Sequence, residues 1–251
     1  MPAKAAPRKR TVGAKTGAEV RLWMLDFDGT IAHLQPEVDW AGGRRVLEPY
    51  LRSAGAPADL FVEIPQGNLP LYDAYRARLA ANGAISRAAA AVLRRASEII
   101  EDLELAGVDR AQPIAGAHEL ISQLRAEGAK VAIVTANSSR TVARWFKVNR
   151  APAPDAIIGR DTMLALKPSP ATVIRALETF SVRPIQAAFA GDTEADLIAA
   201  REAGVRFYGV AMSAASRERL AAAGARKVFD SPAALANHLR RSTPARHRGT
   251  K

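Results

Sequence analysis

The sequence predicts an α/β protein, a doubly wound parallel sheet with a small all-helical unit inserted after its first strand. Three observations predict it. From about residue 20, short apolar runs alternate with amphipathic helical stretches, the pattern of a parallel sheet covered on both faces. Between residues 34 and 112 the alternation stops and only helical periodicity remains. Acidic and small polar residues gather where the apolar runs end, not inside them.

Taken in order, the first strand covers residues 20–25 (VRLWML) and ends at Asp26 and Asp28. The insert then shows three apolar patterns at helical spacing: Val46, Leu47, Tyr50 and Leu51; Leu71, Tyr75 and Leu79; and a long run from Ile85 through Leu93, Ala96 and Ile100 to Leu103. Pro65, Gly67 and Pro70 separate the first two. A helix follows, with Leu120, Ile121 and Leu124 on one face and a stop at Gly128. The remaining strands are expected at 131–134, 156–158, 187–190, 205–210 and 227–229. Lys167 is expected to open the helix whose apolar face is Val173, Ile174, Leu177 and Phe180. The expected organisation is a core of 20–33 and 113–239, a helical cap of 34–112, and basic disordered tails at 1–19 and 240–251.

Composition bounds the function. The formal charge of +11 is concentrated in the tails: residues 1–20 carry +4 and residues 240–251 carry +5, leaving +2 for the body. Nucleic acid is therefore an unlikely partner, reachable only through the tails. The chain has no cysteine, which excludes disulfides, thiolate metal sites and a cysteine nucleophile. Its four histidines lie far apart in sequence without ligand spacing, although His33 follows the first acidic pair closely enough to face a site there. No apolar run reaches membrane-spanning length and the basic N-terminus has no apolar signal core, so the expectation is a cytoplasmic protein without a membrane partner.

In an open parallel sheet, ligands bind beyond the carboxyl ends of the strands. There the sequence puts Asp26 and Asp28, then Thr135 and Asn137, then Asp192, with Asp196 four residues on and Lys167 on a neighbouring segment. Carboxylates brought to one edge repel each other unless a cation neutralises them, and hard oxygen ligands point to Mg²⁺. A cation, a lysine and a threonine hydroxyl together suit a phosphate group. Asp26 is placed to attack its phosphorus, and Asp28 to protonate the leaving oxygen and later deprotonate water. Other roles exist for these residue types: Asp at a strand end commonly serves a turn, Thr135 and Asn137 can cap a helix, and Asp196 suits a first helical turn electrostatically. Arg140 and Arg144, one turn apart, could reach a substrate, or could belong to an amphipathic helix with Trp145 and Phe146. Asn68, Tyr72, Tyr75 and Arg76 of the insert are equally open.

Four segments, "DFDGT" at 26–30, "VTAN" at 134–137, "LKPSP" at 166–170 and "GDTEAD" at 191–196, resemble in order and spacing the motifs of the haloacid dehalogenase superfamily. The branch they resemble is the one with a helical cap after the first strand, which includes phosphoglycolate phosphatases and β-phosphoglucomutases. The resemblance spans about residues 20–230. It implies a Rossmann-like core and a Mg²⁺-dependent phosphatase acting on a small phosphorylated substrate through an aspartyl-phosphate. Asp26 would be nucleophile and metal ligand, and Asp28 acid/base with its carbonyl on the metal. Thr135, Asn137 and Lys167 would hold the phosphoryl group. Asp192 would be a metal ligand, and Asp196 a ligand or a partner of Lys167. Asp28 argues for phosphoryl transfer over halide displacement, and the Lys-Thr-Gly-Thr pattern of ATPase relatives is absent. The usual "DGTLVDS" of phosphoglycolate phosphatases, and the Asp-Thr or Asp-Ser that mutases of the branch tend to have there, are here "DGTIAHLQPEVDW", which withdraws support for both specific names and leaves the substrate open. A phosphomutase and a non-catalytic binder of phosphorylated ligands or RNA are the alternatives.

Overall fold

The computed structural model describes residues 19–81 and 83–242. The expected tails at 1–19 and 240–251 fall almost wholly outside them. Six strands form one parallel sheet: β1 (Leu22–Leu25), β2 (Lys130–Val134), β3 (Ala156–Ile158), β4 (Ala187–Gly191), β5 (Arg206–Val210) and β6 (Val228–Phe229), in the order β3-β2-β1-β4-β5-β6. The chain winds outward from β1 to β3, crosses back to β4 on the other side of β1, and winds outward again. The switch point therefore lies between β1 and β4, whose C-terminal ends flank the natural binding crevice.

The central strands β1 and β4 are apolar at every position, and β2 is so after the exposed Lys130 at its start, because both faces are covered. In β1, Trp23 and Leu25 enter one core while Leu22 and Met24 enter the other, and β2 divides Val131 and Ile133 from Ala132 and Val134 in the same way. The first four of the five α-helices between β1 and β2 are α1 (Trp40–Ser53), α2 (Ala58–Glu63), α3 (Asn68–Ala80) and α4 (Arg87–Gly107). They enclose a separate apolar core around Leu47, Leu71, Tyr72, Leu93 and Ile100. This is the helical cap of the α/β fold. The layers over the sheet are completed by α5 (Ala117–Ala126), α6 (Ser139–Val148), α7 (Ala171–Phe180), α8 (Glu194–Glu202), α9 (Ala214–Ala222) and α10 (Pro232–Ser242).

Four details depart from the sequence reading. The short helix α2 was not anticipated; it follows Pro57 and buries Leu60 and Phe61. Lys167 does not open α7 but sits four residues before it, because Pro168 and Pro170 lack amide hydrogens and bias the residues before them away from helix. Val46 and Ile174, expected on buried faces, are 55% and 41% exposed. Finally, α10 carries Arg240 beyond the expected end of the core, where the guanidinium donates to Gln123 Oε1 at 2.7 Å and complements the helix's C-terminal dipole.

Candidate active site

Strand β1 stops at Leu25, and the Asp26 amide makes the last bond to β4, donating to Ala190 O at 2.9 Å. Its side chain, 6% exposed, meets Lys167, whose Nζ lies 2.5 Å from Asp26 Oδ1. The same ammonium donates to Val134 O at 3.0 Å and lies 2.5 Å from Asp196 Oδ1, there as an ion pair off the hydrogen-bond angle. Lys167 thus joins the ends of β1 and β2 to the start of α8.

The turn after β1 is folded by its own side chains. Asp28 Oδ1 accepts from the amides of Leu34 at 2.9 Å and Gln35 at 3.0 Å, which draws the cap entrance over the carboxylate. Gly29 stands between the two motifs with φ of +87°, and a Cβ there would lie 2.4 Å from Asp192 Oδ2. At α8, Thr193 caps the helix and Asp196 Oδ2 accepts from Thr193 N at 3.0 Å and Oγ1 at 2.7 Å. Both uses foreseen for Asp196, first-turn carboxylate and partner of Lys167, are present together, one on each oxygen.

Burial sets the electrostatics. Asp26 is pushed well above the usual carboxylate range, first by desolvation and then by Asp196 and Asp192, with Lys167 opposing. Asp192 is raised to about 7, by burial and then by Asp196. Burial also raises Asp28, against the two amides that favour its ionised form. Burial would lower Lys167, but Asp196 and Asp26 outweigh it and hold the ammonium charged above its ordinary value.

Asp26, Asp192 and Asp196 each offer an oxygen within 4.8 Å of the others. One ammonium does not offset three carboxylates, and their mutual repulsion adds to the burial that raises Asp26 and Asp192. An all-oxygen donor set short of positive charge fits Mg²⁺.

On the β2 side, Thr135 and Asn137 are 2% and 4% exposed. The Asn137 amide donates to Thr135 Oγ1 at 3.1 Å, and Thr135 Oγ1 donates to Asn137 Oδ1 at 3.0 Å. Asn137 Nδ2 donates to Glu104 Oε1 at 3.1 Å. Both ends of the Asn137 side-chain amide are thus used inside the protein, linking Thr135 to Glu104 at the edge of the cleft. Glu104, fully buried on α4, also accepts from Ser138 N, from Thr141 Oγ1 and, at 2.7 Å, from Nη1 of the equally buried Arg160. Arg160 donates in turn to Ala136 O at 2.7 Å and Ser97 Oγ at 3.1 Å. One buried ion pair therefore ties the last turn of the cap to the loop holding Thr135. Sequence reasoning missed it. Its signal was a glutamate on the stripe of Leu93, Ser97, Ile100 and Gly107, where every other position is apolar or small.

All seven predicted residues, Asp26, Asp28, Thr135, Asn137, Lys167, Asp192 and Asp196, line one cleft of about 360 Å³. The cap closes it with Gln35, Trp40 and Leu69, none of which was singled out from sequence. Other candidates lie elsewhere. Arg140 pairs with Glu101 at 3.0 Å and Arg144 with Asp109 at 2.6 Å, both on the surface. His33 is exposed and does not line the cleft. Tyr72 and Tyr75 are buried in the cap, and Arg76 pairs with Asp73 at 2.7 Å.

This cleft at the switch point, under a helical cap, has counterparts in known proteins. The family model described as haloacid dehalogenase-like hydrolase matches residues 71–210. A phosphoglycolate phosphatase of Pseudomonas fluorescens is 30% identical over 199 residues, 74% of this chain and 67% of the relative. One from Rhodospirillum rubrum is 30% identical over 236 residues, 86% of this chain and 89% of its own. Among solved structures, CbbY from Rhodobacter sphaeroides in complex with phosphate superposes with a TM-score of 0.58 at 24% identity, over 86% of this chain and 96% of that one. L-2-haloacid dehalogenase from Xanthobacter autotrophicus does so with a TM-score of 0.56 at 17% identity, over 88% and 98%, and shows the fold alone. The chain belongs to the haloacid dehalogenase-like hydrolases. Within them it is an enzyme of the phosphatase class.

Proposed function

We propose that the protein is a Mg²⁺-dependent phosphatase that hydrolyses a small-molecule phosphomonoester through an aspartyl-phosphate on Asp26. The observation that carries this is the convergence of Asp26, Asp192 and Asp196 around Lys167 at the β1/β4 switch point. Asp26, Asp192 and Asp196, with the carbonyl of Asp28, would hold the cation. Bound there, it would neutralise phosphoryl oxygens and keep Asp26 ionised despite its burial.

The chain's own groups supply the rest. Lys167 and the Thr135 hydroxyl, turned from Asn137 Oδ1 toward the substrate, bind the phosphoryl oxygens. An Asp26 oxygen attacks phosphorus, the bond from phosphorus to the leaving oxygen breaks, and Asp28 gives that oxygen its proton. The raised pKa of Asp28 favours the protonated form this needs. A water then attacks the aspartyl-phosphate, its proton passes to Asp28, and phosphate leaves with Asp26 restored. Residues 34–112 act as the cap that excludes bulk water and selects the leaving group. The reading includes a cytoplasmic location. Phosphate release from p-nitrophenyl phosphate, with Mg²⁺, with EDTA and with Asp26→Asn, tests it: turnover is expected only in the first case, and turnover that survives EDTA or the substitution defeats it.

A further inference from the structure

We infer that the alcohol part of the substrate is uncharged and carries a ring, so that phosphate esters of sugars or nucleosides are accepted and esters bearing a second anion are refused. This rests on the phosphatase reading above. Beyond the carboxylates and Lys167, the wall of the cleft that faces the cap is Gln35, Trp40 and Leu69. The same three residues also line an adjoining recess of about 170 Å³, completed by Gly67, Asn68 and Pro70. Among the described residues no lysine, arginine or histidine lines either space except Lys167, whose ammonium is shared between Asp26 and Asp196. Arg44, on the neighbouring turn of α1, is committed to Glu48 Oε2 at 2.9 Å, Ile64 O at 2.7 Å and Gly67 O at 3.1 Å.

A carboxylate or second phosphate on the substrate would enter this recess with no cationic side chain to meet it, losing hydration without a partner. A ring meets the opposite situation. Trp40 is half-buried and held by its indole Nε1 donating to Gln35 O at 3.1 Å, which leaves a fixed apolar face beside Leu69. Asn68 holds this wall in place. It is 2% exposed, its Nδ2 donates to Trp40 O at 2.8 Å, and its Oδ1 is buried without a hydrogen-bond partner among the described residues.

The test compares kcat/KM with Mg²⁺ for acetyl phosphate, glucose 6-phosphate, adenosine 5′-monophosphate, phosphoglycolate and pyrophosphate. Acetyl phosphate reports the phosphoryl chemistry with little demand on the recess. The expected result is acetyl phosphate turnover together with a sugar phosphate or nucleotide exceeding both phosphoglycolate and pyrophosphate at least tenfold. Which of the two esters leads separates a sugar from a nucleoside. Leu69→Arg, which brings a cation to the wall of the recess, is expected to raise the ratio of phosphoglycolate to the best ring-bearing ester at least tenfold. Acetyl phosphate turnover with phosphoglycolate or pyrophosphate inside that tenfold margin, or a ratio unmoved by Leu69→Arg, overturns this inference alone. No turnover of acetyl phosphate overturns the phosphatase reading and this inference with it.

Discussion

Replacing Glu104 by glutamine preserves its shape and removes its charge, which isolates what the buried pair with Arg160 contributes. Both side chains are 0% exposed, so no water can take over the role of the lost carboxylate. Glutamine also offers one acceptor oxygen where Glu104 uses two, and its amide hydrogens would face Arg160 Nη1 or Asn137 Nδ2, both donors. Breaking a buried pair by removing one partner costs about 3–5 kcal/mol. In a chain of this size each kcal/mol lowers Tm by about 2–4 °C, so the expected fall is roughly 6–20 °C. Thermal and urea unfolding of Glu104→Gln, Arg160→Met and the double variant measure it. The double variant should be less destabilised than the two singles summed, by more than about 1 kcal/mol, because each single strands a charge or its partners that the double does not. Since the same carboxylate anchors Asn137 and Ser138, kcat measured well below Tm should fall about tenfold or more. A loss below about 1 kcal/mol for Glu104→Gln, or strict additivity in the cycle, would refute the reasoning.

Other perturbations read the acidic cluster. Asp192 is raised to about 7 in the folded protein, so the stability it contributes is complete below its unfolded pKa of 3.8 and is lost as pH rises through about 7. The Tm of metal-free protein should therefore fall between about pH 5 and pH 8, Asp192→Asn should flatten that fall, and added Mg²⁺ should raise Tm more at the higher pH. Gly29→Ala introduces a Cβ against Asp192 Oδ2 at a φ of +87°, costing about 1–2 kcal/mol of stability and weakening Mg²⁺ binding by titration calorimetry at least tenfold. Lys167→Met leaves Asp26 and Asp196 facing each other without their shared cation; kcat should drop by about a hundredfold or more, and Tm at pH 8 should fall further than at pH 5.

The strands were legible because burial on both faces demands unbroken apolar runs, and β1 to β6 follow such runs to within two residues. The motif residues were legible because the switch point of a parallel sheet dictates where polar chemistry accumulates. The cap was legible as helices but not as a site: Trp40, Leu69 and Gln35 acquire their role from how α1 and α3 pack over β1, and no local pattern encodes that packing. Lys167 was placed on a helix because periodicity alone ignores what two prolines do to the chain before them. Glu104 and Arg160 find each other across 56 positions. A charged residue on an apolar stripe was the only trace either left.

The central claim is that phosphorus is transferred to Asp26, and the most direct measurement is to trap it there. Protein mixed with Mg²⁺ and acetyl phosphate, quenched in acid within the first turnover and digested, should show a phosphoryl adduct on the peptide containing Asp26 by mass spectrometry. The account predicts that adduct in the wild type and its absence in Asp26→Asn. An adduct on another residue, or turnover in Asp26→Asn equal to the wild type, would contradict it.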